Sequence, residues 1–237
     1  MLNYWWVTRP KRKLNSIPEV LSTLAEQALD EEWQGQRDTH LSLEKALEQA
    51  GLKRVGERRD KTGGGARTYK AWVASLGLIF TQESTGKLKL TLAGEAIMAG
   101  KSPVEVLKHQ VLKYQFPSSF SLSVKVSRGF KIRPFRFLLR LLTDSRLDRY
   151  LTEEEIAKII ITEAKNEKDE CYEEIVERIL QFRNYGNDCL PSDFFELYKP
   201  SKGQINPRHP YRYLTEIANT LVNWLEYTQL AKRNEDR

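Results

Sequence analysis

The sequence predicts a mainly α-helical fold with small β-hairpins, and three features of the 237-residue chain support this fold class. Apolar residues recur at helical spacing over most of the chain. Glycines, prolines and serine or threonine helix starts divide these stretches into helices of ordinary length. Two short runs, Leu78–Thr81 and Lys87–Thr91, are joined by a Ser-Thr-Gly turn and predict a hairpin. A chain of this length buries enough apolar surface to fold without metals or disulfides.

Residues 63–94 are the segment around which the rest of the chain is organised. A glycine run precedes a predicted helix, and Gly77 ends that helix just before the hairpin. The buried face of the helix, at i, i+3, i+4 and i+7 spacing, consists of Tyr69, Trp72, Val73 and Leu76. A helix, a glycine and a hairpin in this order are typical of the second half of a winged helix-turn-helix, which reads nucleic acid. A small α+β unit without a ligand is the alternative.

Two helices are predicted before this unit. One starts at Ser16 and is expected to continue to about Glu32, and the next is expected from Ser42 to near Gly51. Together with the helix and hairpin that follow, they complete the element order of a winged helix. Residues 1–104 are therefore predicted to form an N-terminal basic arm plus a first winged-helix domain, with the aromatic residues of the arm anchored in the core.

Helices also predominate in the remainder of the chain. Residues 105–150 are predicted to be a basic connecting segment, and residues 151–237 a second helical domain that opens with a capping box at Thr152 and Glu155. The last helix carries Trp224 much as the earlier one carries its tryptophan, which indicates a second winged helix-turn-helix unit. Its predicted outward face is Asn219, Thr220, Asn223 and Glu226. No hairpin follows it in the sequence, so this second unit is expected to be truncated and the chain to be a piece of a longer protein.

The net charge of +6 conceals a separation of sign along the chain. Residues 101–150 carry 11 basic and three acidic residues, a net charge of +8. Residues 151–200 carry six basic and 13 acidic residues, a net charge of −7. A basic segment beside an acidic one is what a polyanion-binding face with a solvated back requires. A similar asymmetry also occurs in proteins that bind no anion, and this alternative stays open here.

The candidate binding residues lie on the helix before the hairpin and on several basic segments. Small and basic outward residues allow a helix to approach base edges in a groove. The base-reading candidates are Arg67, Thr68, Lys70 and Ala71, and Ala74 and Ser75 are predicted to face outward beside them. Phosphate contacts are expected from the arm, the loop before the helix, the hairpin and the segment 125–136, here called the basic ribbon. These candidates are Arg9, Lys11, Arg12, Lys13, Arg54, Arg58, Arg59, Lys61, Lys87, Lys89, Lys125, Arg128, Lys131, Arg133 and Arg136.

Several other classes of protein are disfavoured by the composition. No apolar run approaches the length of a membrane span, and the N-terminus lacks the apolar region of a secretory signal. Cys171 and Cys189 do not have metal-ligand spacing, and His40, His109 and His209 are far apart in sequence. A zinc site is therefore not expected, and a reducing cytoplasm is the expected compartment.

Five segments of the sequence carry a family resemblance. They are NYWWVTRP, SLGLIFTQESTGKLKLTLAGEAIMAGKSPVEV, KHQVLKYQFPS, IRPFRFLLRLL and ILQFRN. In this order they resemble the N-terminal DNA-recognition part of AlwI-type type IIS restriction endonucleases and their nicking relatives, and more distantly that of FokI. The resemblance implies a cytoplasmic protein of bacteria or archaea that binds a short asymmetric site in double-stranded DNA as a monomer. It also implies a following PD-(D/E)xK nuclease domain or subunit that uses Mg²⁺, with no cofactor in this chain.

The resemblance directs attention to a possible nuclease motif within the chain. Asp148 and the run Glu163-Ala164-Lys165 supply two carboxylates and a lysine, groups that hold Mg²⁺ and orient a water. The motif needs a strand for its second half, whereas the capping box before it places Glu163 on a helix. No catalytic or metal-binding residue is therefore predicted. Two alternatives stay open: a dimeric winged-helix transcriptional regulator on a palindromic site, and a nuclease complete in these residues.

Overall fold

The computed structural model describes residues 1–55, 61–120, 125–198 and 212–234. Within these residues the chain is mainly helical and has one antiparallel sheet, formed by β1 (Ile79–Thr81) and β2 (Leu88–Leu90). The helices are α1 (Ile17–Ala28), α2 (Arg37–Gln49), α3 (Gly64–Ser75), α4 (Leu92–Met98), α5 (Pro103–Lys113), α6 (Pro134–Thr143), α7 (Glu153–Glu155), α8 (Ile161–Glu163), α9 (Asp169–Tyr185), α10 (Phe194–Leu197) and α11 (Arg212–Tyr227). A single turn of π-helix, Ile156–Ile160, here called the π-turn, joins α7 to α8. The predicted class, mainly α with a small hairpin, is confirmed.

The segment between α1 and α2 pairs with the second strand of the hairpin. The Asp30 amide donates to the Leu88 carbonyl oxygen at 2.9 Å, and the Leu88 amide donates to the Glu31 carbonyl oxygen at 3.0 Å. The Trp33 amide continues the pairing by donating to the Gly86 carbonyl oxygen at 3.2 Å. The hairpin is thus held on one edge by residues that precede α2, which ties it to the three N-terminal helices.

Two predicted helix boundaries are wrong. α1 ends at Ala28 rather than near Glu32, because the residues that follow it pair with β2 instead of continuing the helix. α2 begins at Arg37 rather than at Ser42. Ser42 lies inside the helix, and its hydroxyl donates to Gln27 Oε1 on α1 at 2.7 Å. It therefore serves a contact between helices rather than a helix start.

Two glycines allow the hairpin to lie close to its neighbouring helices. Gly77 has φ +69 just after α3, as its predicted role in ending that helix requires. Thr91 begins α4: its hydroxyl donates to the Gly77 carbonyl oxygen at 2.7 Å and accepts the Gly94 amide at 3.2 Å. A Cβ atom on Gly94 would lie 2.1 Å from the Leu78 carbonyl oxygen. The first turn of α4 therefore passes the end of β1 at a distance that only glycine permits.

The burial of α3 is wider than its apolar periodicity predicts. Tyr69 and Trp72 are core residues, as predicted, and the Tyr69 hydroxyl donates to the Leu52 carbonyl oxygen at 2.7 Å. Ala74, predicted to face outward, is fully buried. The prediction is wrong because α3 is packed by α1, α2 and β1 together, so more than one stripe of the helix is covered. Ser75 is half-buried and its hydroxyl donates to a carbonyl oxygen of its own helix.

The N-terminal arm packs against the C-terminal half of the chain. The Leu2 amide donates to the Lys125 carbonyl oxygen at 2.8 Å. The Trp5 amide donates to the Ile161 carbonyl oxygen at 2.9 Å, and the indole Nε1 of Trp5 donates to the Ala164 carbonyl oxygen at 2.6 Å. Trp5 is fully buried. The predicted anchoring of the arm by its aromatic residues is confirmed.

Aromatic side chains from α6, α11 and the end of α5 meet at the centre of the core. Phe135 stacks on Trp224 with ring centroids 5.5 Å apart, and Tyr114 contacts both rings edge-on at 5.7 and 5.6 Å. All three residues are buried, and burial raises the pKa of Tyr114 to about 12. The buried apolar residues of the N-terminal and C-terminal halves form one continuous cluster.

The capping box predicted at Thr152 and Glu155 is confirmed, with hydrogen bonds in both directions. Residues of the π-turn that follows are fully covered, including Lys158, which is 1% exposed. Its ammonium donates to Asn187 Oδ1 at 2.9 Å and lies 3.1 Å from Glu154 Oε1. A lysine at this depth needs such partners, because an unpaired buried charge is strongly unfavourable.

The predicted outward face of α11 is wrong at two positions. Thr220 is fully buried and Asn223 is 9% exposed. Asn223 Nδ2 donates to Asn219 Oδ1 at 2.9 Å, and Asn219 Nδ2 donates to Glu153 Oε1 at 3.0 Å. These polar side chains join α11 to α7 inside the protein. Their polarity satisfies hydrogen bonds in a packed interface rather than contacts with solvent.

No helix in the described residues combines the length and the apolar character that crossing a membrane requires.

The close passage at Gly94 predicts a selective loss of stability. Gly94→Ala should lower the free energy of unfolding by roughly 1–3 kcal/mol, because the new Cβ would overlap a backbone carbonyl oxygen that cannot move alone. Gly35→Ala is the matched control, since its Cβ would meet nothing within 4 Å and only the positive φ is strained. Urea unfolding of both variants checks the prediction. Equal losses at the two positions would contradict it.

Candidate nucleic-acid interface

The base-reading candidates on α3 have different environments. Thr68 is exposed, Arg67 and Ala71 are half-buried, and none of the three belongs to the core. The Arg67 guanidinium donates to the Thr62 carbonyl oxygen at 2.6 Å and to its hydroxyl at 3.1 Å, across the first turn of α3. The Thr68 hydroxyl donates to the Gly64 carbonyl oxygen at 3.0 Å. This end of α3 thus presents a guanidinium and a hydroxyl held by exposed hydrogen bonds.

Lys70 joins α3 to the hairpin instead of extending from the surface. Its ammonium donates to Thr81 Oγ1 at 3.1 Å and lies 6.0 Å from the centroid of the Trp33 ring. Burial lowers the pKa of Lys70. His40 stands beside the same ring, with its Nε2 2.9 Å from the Trp33 carbonyl oxygen, and burial lowers the pKa of its imidazole as well. A contact between Lys70 and a base would require its present partners to be released.

The candidates on the hairpin and on the loop before α3 are mostly exposed. Lys87 is exposed, and Lys89 forms an ion pair with Asp30 on the segment between α1 and α2. Arg54 and Lys61 have exposed side chains at the two ends of the loop. The loop candidates Arg58 and Arg59 lie outside the described residues. Lys53, which the sequence groups with this basic loop, is held instead by Glu44 and Glu48.

The basic residues of the arm divide into two groups. The Arg9 guanidinium carbon lies 4.7 Å from the centroid of the Trp6 ring and 5.4 Å from that of Tyr213. Arg12 forms an ion pair with Glu216 of α11 at 2.9 Å. Lys11 and Lys13 form no ion pair with any residue that the structure describes, and Lys13 is exposed. The arm is therefore attached to the protein along its aromatic residues, with two of its four cations already engaged.

The basic ribbon alternates between the core and the surface, as predicted. Phe130 and Ile132 are buried, whereas Lys131 between them is exposed. Ile132 and Phe116 exchange backbone hydrogen bonds of 2.8 and 3.0 Å. The ribbon is consequently a fixed edge of the core with cations on its outer side.

One arginine of the basic ribbon is bound by a glutamate of the acidic segment, residues 151–200. The Arg133 Nε donates to Glu167 Oε1 at 2.8 Å and to Oε2 at 3.1 Å, and the Arg133 amide also donates to Oε1 at 2.6 Å. This carboxylate therefore holds both the side chain and the backbone at the start of α6. The Arg133 hydrogen bonds lower the pKa of Glu167.

The two oppositely charged segments neutralise each other in part. Arg140 of α6 pairs with Asp169 at 2.8 Å, and Arg146 pairs with Glu173 on α9. The acidic segment therefore contacts the basic segment and does not face solvent alone. On the basic ribbon, the exposed cations without an ion pair among the described residues are Lys125, Arg128, Lys131 and Arg136.

The residues of the possible nuclease motif are engaged elsewhere. Glu163 receives two hydrogen bonds from Arg178, at 2.9 and 3.0 Å. Asp148 lies 3.7 Å from a guanidinium nitrogen of Arg183. In the parts of the chain that the structure describes, no three His, Cys, Asp or Glu side chains are grouped to hold a metal ion.

Lys165 is an exposed cation that sequence reasoning did not place with the phosphate candidates. Its carbonyl oxygen accepts the Lys131 amide at 2.8 Å, which sets the loop after α8 beside the basic ribbon. Sequence reasoning could not place Lys131 beside Lys165, because several helices separate the two residues along the chain and their pairing has no local sequence pattern.

Comparison with protein families identifies the larger group to which the sequence is related. The family model described as type II restriction endonuclease HgaI, N-terminal domain, matches residues 104–222, half of the chain. The chain belongs to this HgaI N-terminal domain family. No curated protein matches the sequence. The match confirms the type II restriction endonuclease class that the sequence predicts, and it names HgaI rather than AlwI or FokI.

The HgaI-type segment contains only part of the candidate interface. The basic ribbon and the loop with Lys165 lie within it, whereas α3 and the hairpin precede it. The arm also precedes the segment, yet Trp5 makes two hydrogen bonds to it. The family match therefore includes the basic ribbon, whereas α3 lies outside the matched residues.

The Arg133–Glu167 pair predicts a pH-dependent contribution to stability. Because the pKa of folded Glu167 lies below its unfolded value of about 4.3, its contribution is present at neutral pH. It is lost as the pH falls through the folded value. Glu167→Gln should therefore destabilise the protein most near pH 7, and the difference from wild type should shrink below about pH 4.

Unfolding by urea at a series of pH values measures this difference. Glu174→Gln is the control, since Glu174 is an exposed residue of α9 without an ion pair among the described residues. A deficit of the Glu167 variant that does not change with pH would show that its carboxylate charge is not what stabilises the ribbon.

Proposed function

We propose that the chain is the target-recognition part of a type II restriction or nicking endonuclease of the IIS kind, and that it binds double-stranded DNA specifically. The observation that carries this proposal is its membership of the HgaI N-terminal domain family. The basic ribbon carries exposed cations that form no ion pair with the residues the structure describes, and these support a phosphodiester partner, since phosphate contacts provide a large share of the affinity of DNA-binding proteins.

We further propose that residues 1–104 act as a winged helix-turn-helix. Three helices precede a two-stranded hairpin, and backbone hydrogen bonds join Asp30 and Glu31 to β2. In this arrangement α3 is the helix that enters the major groove, and the hairpin is the wing. Residues 151–237 are proposed as a second, supporting unit, joined to the first by the segment 105–150.

Within α3, we assign base reading to Arg67, with Thr68, Lys70 and Ala71 beside it. The guanidinium of Arg67 presents two donors in the geometry that matches guanine O6 and N7. Its hydrogen bonds to Thr62 are exposed. Lys70 is more deeply held and is the weaker candidate of the two cations.

Cleavage is assigned to a nuclease domain or subunit that follows this chain and uses Mg²⁺. The ion pairs of Glu163 and Asp148 support this assignment, because both carboxylates are held by arginines rather than directed toward one site. A bacterial or archaeal cytoplasm is the compartment in which such an enzyme acts on DNA.

The role of Arg67 predicts a change in base preference. Selection of bound duplexes from a randomised pool should return a single site, and Arg67→Ala should relax the preference at one base pair. Loss of a bidentate contact should weaken binding of the selected site by roughly 1–3 kcal/mol. Lys45→Ala, an exposed position on α2, is the control for removing a cation. An equal loss of affinity for every sequence would remove Arg67 from the base readers.

The restriction-enzyme assignment also predicts the stoichiometry of the complex. Sedimentation velocity of the 27.6 kDa chain with its selected duplex should give one protein per duplex, on an asymmetric sequence. Two chains on a palindromic sequence would favour a transcriptional regulator instead. Incubation of the same sample with plasmid DNA and Mg²⁺ tests the third function, and cleavage by this chain alone would contradict the assignment of catalysis to a further domain.

A further inference from the structure

We propose that Lys165 joins the basic ribbon in a second DNA-contacting surface, which binds duplex phosphates outside the bases read by α3. The inference rests on the proposed function, in that both concern DNA. The surface consists of four cations of the basic ribbon together with Lys165, and its role is separate from base reading by α3. These residues are Lys125, Arg128, Lys131, Arg136 and Lys165. Lys165 would otherwise belong to a nuclease motif that the ion pair of Glu163 does not support.

Backbone pairing brings Lys131 and Lys165 together. The Lys131 amide donates to the Lys165 carbonyl oxygen at 2.8 Å, and Lys131 bridges Asn166 in parallel orientation. On the other side, Leu2 accepts a hydrogen bond from the Ser127 amide at 2.8 Å. The ribbon is thus held between the arm and the loop after α8. Both lysine side chains, of Lys131 and Lys165, are exposed.

Three acidic residues near Lys165 in the sequence form ion pairs with arginines. Glu167 is occupied by Arg133, and Glu163 by Arg178. Asp169 pairs with Arg140. The five cations of the surface are exposed and form no ion pair with a described residue. Several exposed positive charges on one fixed segment match the repeated charges of a phosphodiester backbone better than they match a single small anion.

The Arg133–Glu167 pair gives the surface its rigidity. Glu167 accepts hydrogen bonds from the guanidinium and from the amide of Arg133, so it fixes the ribbon to the loop that carries Lys165. Gly129, with φ +101, forms the bend next to Arg128. A surface held in this way loses little conformational freedom on binding. Glu167 is therefore a positioning residue, whereas the lysines are the groups that contact phosphate.

The test uses the full chain and its selected duplex in fluorescence anisotropy titrations between 50 and 200 mM salt. The double substitution Lys131→Ala with Lys165→Ala should reduce the slope of log K against log salt by about 2, because each lost phosphate contact removes about 0.9. The base preference recovered by pool selection should not change. In contrast, Lys131→Arg should retain the wild-type slope.

Lys232→Ala is the matched control for removing a cation. Lys232 is exposed and follows α11, whose 16 residues span about 24 Å from the end that contacts the arm. The slope of log K against log salt for the Lys232→Ala variant should equal that of wild type. Circular dichroism and urea unfolding of each variant establish that it is folded.

The possible results separate the two proposals. An unchanged slope in the double variant, with specific DNA binding intact, would overturn this inference and leave the proposed function standing. A changed base preference would also overturn it, since the surface would then take part in base reading. Absence of DNA binding by the wild-type chain would instead defeat the proposed function. Binding to vesicles of anionic lipid with equal affinity, lost in the double variant, would assign the surface to a membrane and overturn the choice of duplex DNA.

Discussion

The attachment of the N-terminal arm through Trp5 is the interaction on which the rest of the structure depends. Its indole donates to the Ala164 carbonyl oxygen in a fully buried setting, and its ring lies edge-on to Phe137 at 6.2 Å. Loss of that partner would leave a buried carbonyl group unsatisfied, which is more costly than the bond itself is favourable. Because the same arm pairs with the basic ribbon at Leu2, the position of the cationic surface depends on it.

The distribution of charge follows a related constraint. A basic segment and an acidic segment that are adjacent in sequence are also adjacent in space, so their central members form ion pairs such as Arg133–Glu167 and Arg140–Asp169. Exposed pairs contribute little energy individually. Their main consequence is that some cations are engaged in ion pairs within the protein. Others, such as Lys131 and Arg136, form no ion pair with a described residue. A count of charge by segment cannot make this distinction.

Local sequence patterns accounted for most of the fold, and contacts between distant segments explain the errors. The apolar spacing at Tyr69 and Trp72, the capping box at Thr152 and the break at Gly77 each act within one or two turns, so they were predicted correctly. Ala74 and Asn223 were misplaced because a second packing partner covers them. The candidate site followed the same division. Its basic residues were found from composition, but the nearness of Lys131 to Lys165 depends on backbone pairing that has no local signal.

The continuous core joins the N-terminal residues to the segment that matches the HgaI family model. The HgaI-type match begins at residue 104, after α3 and the hairpin. However, Trp5 precedes α1 and is buried against α8, so the N-terminal residues complete the core of the matched segment. A helix that reads bases and a ribbon that binds phosphates would therefore be parts of one packed unit. Such packing would fix the position of the two contacts relative to each other without a flexible linker.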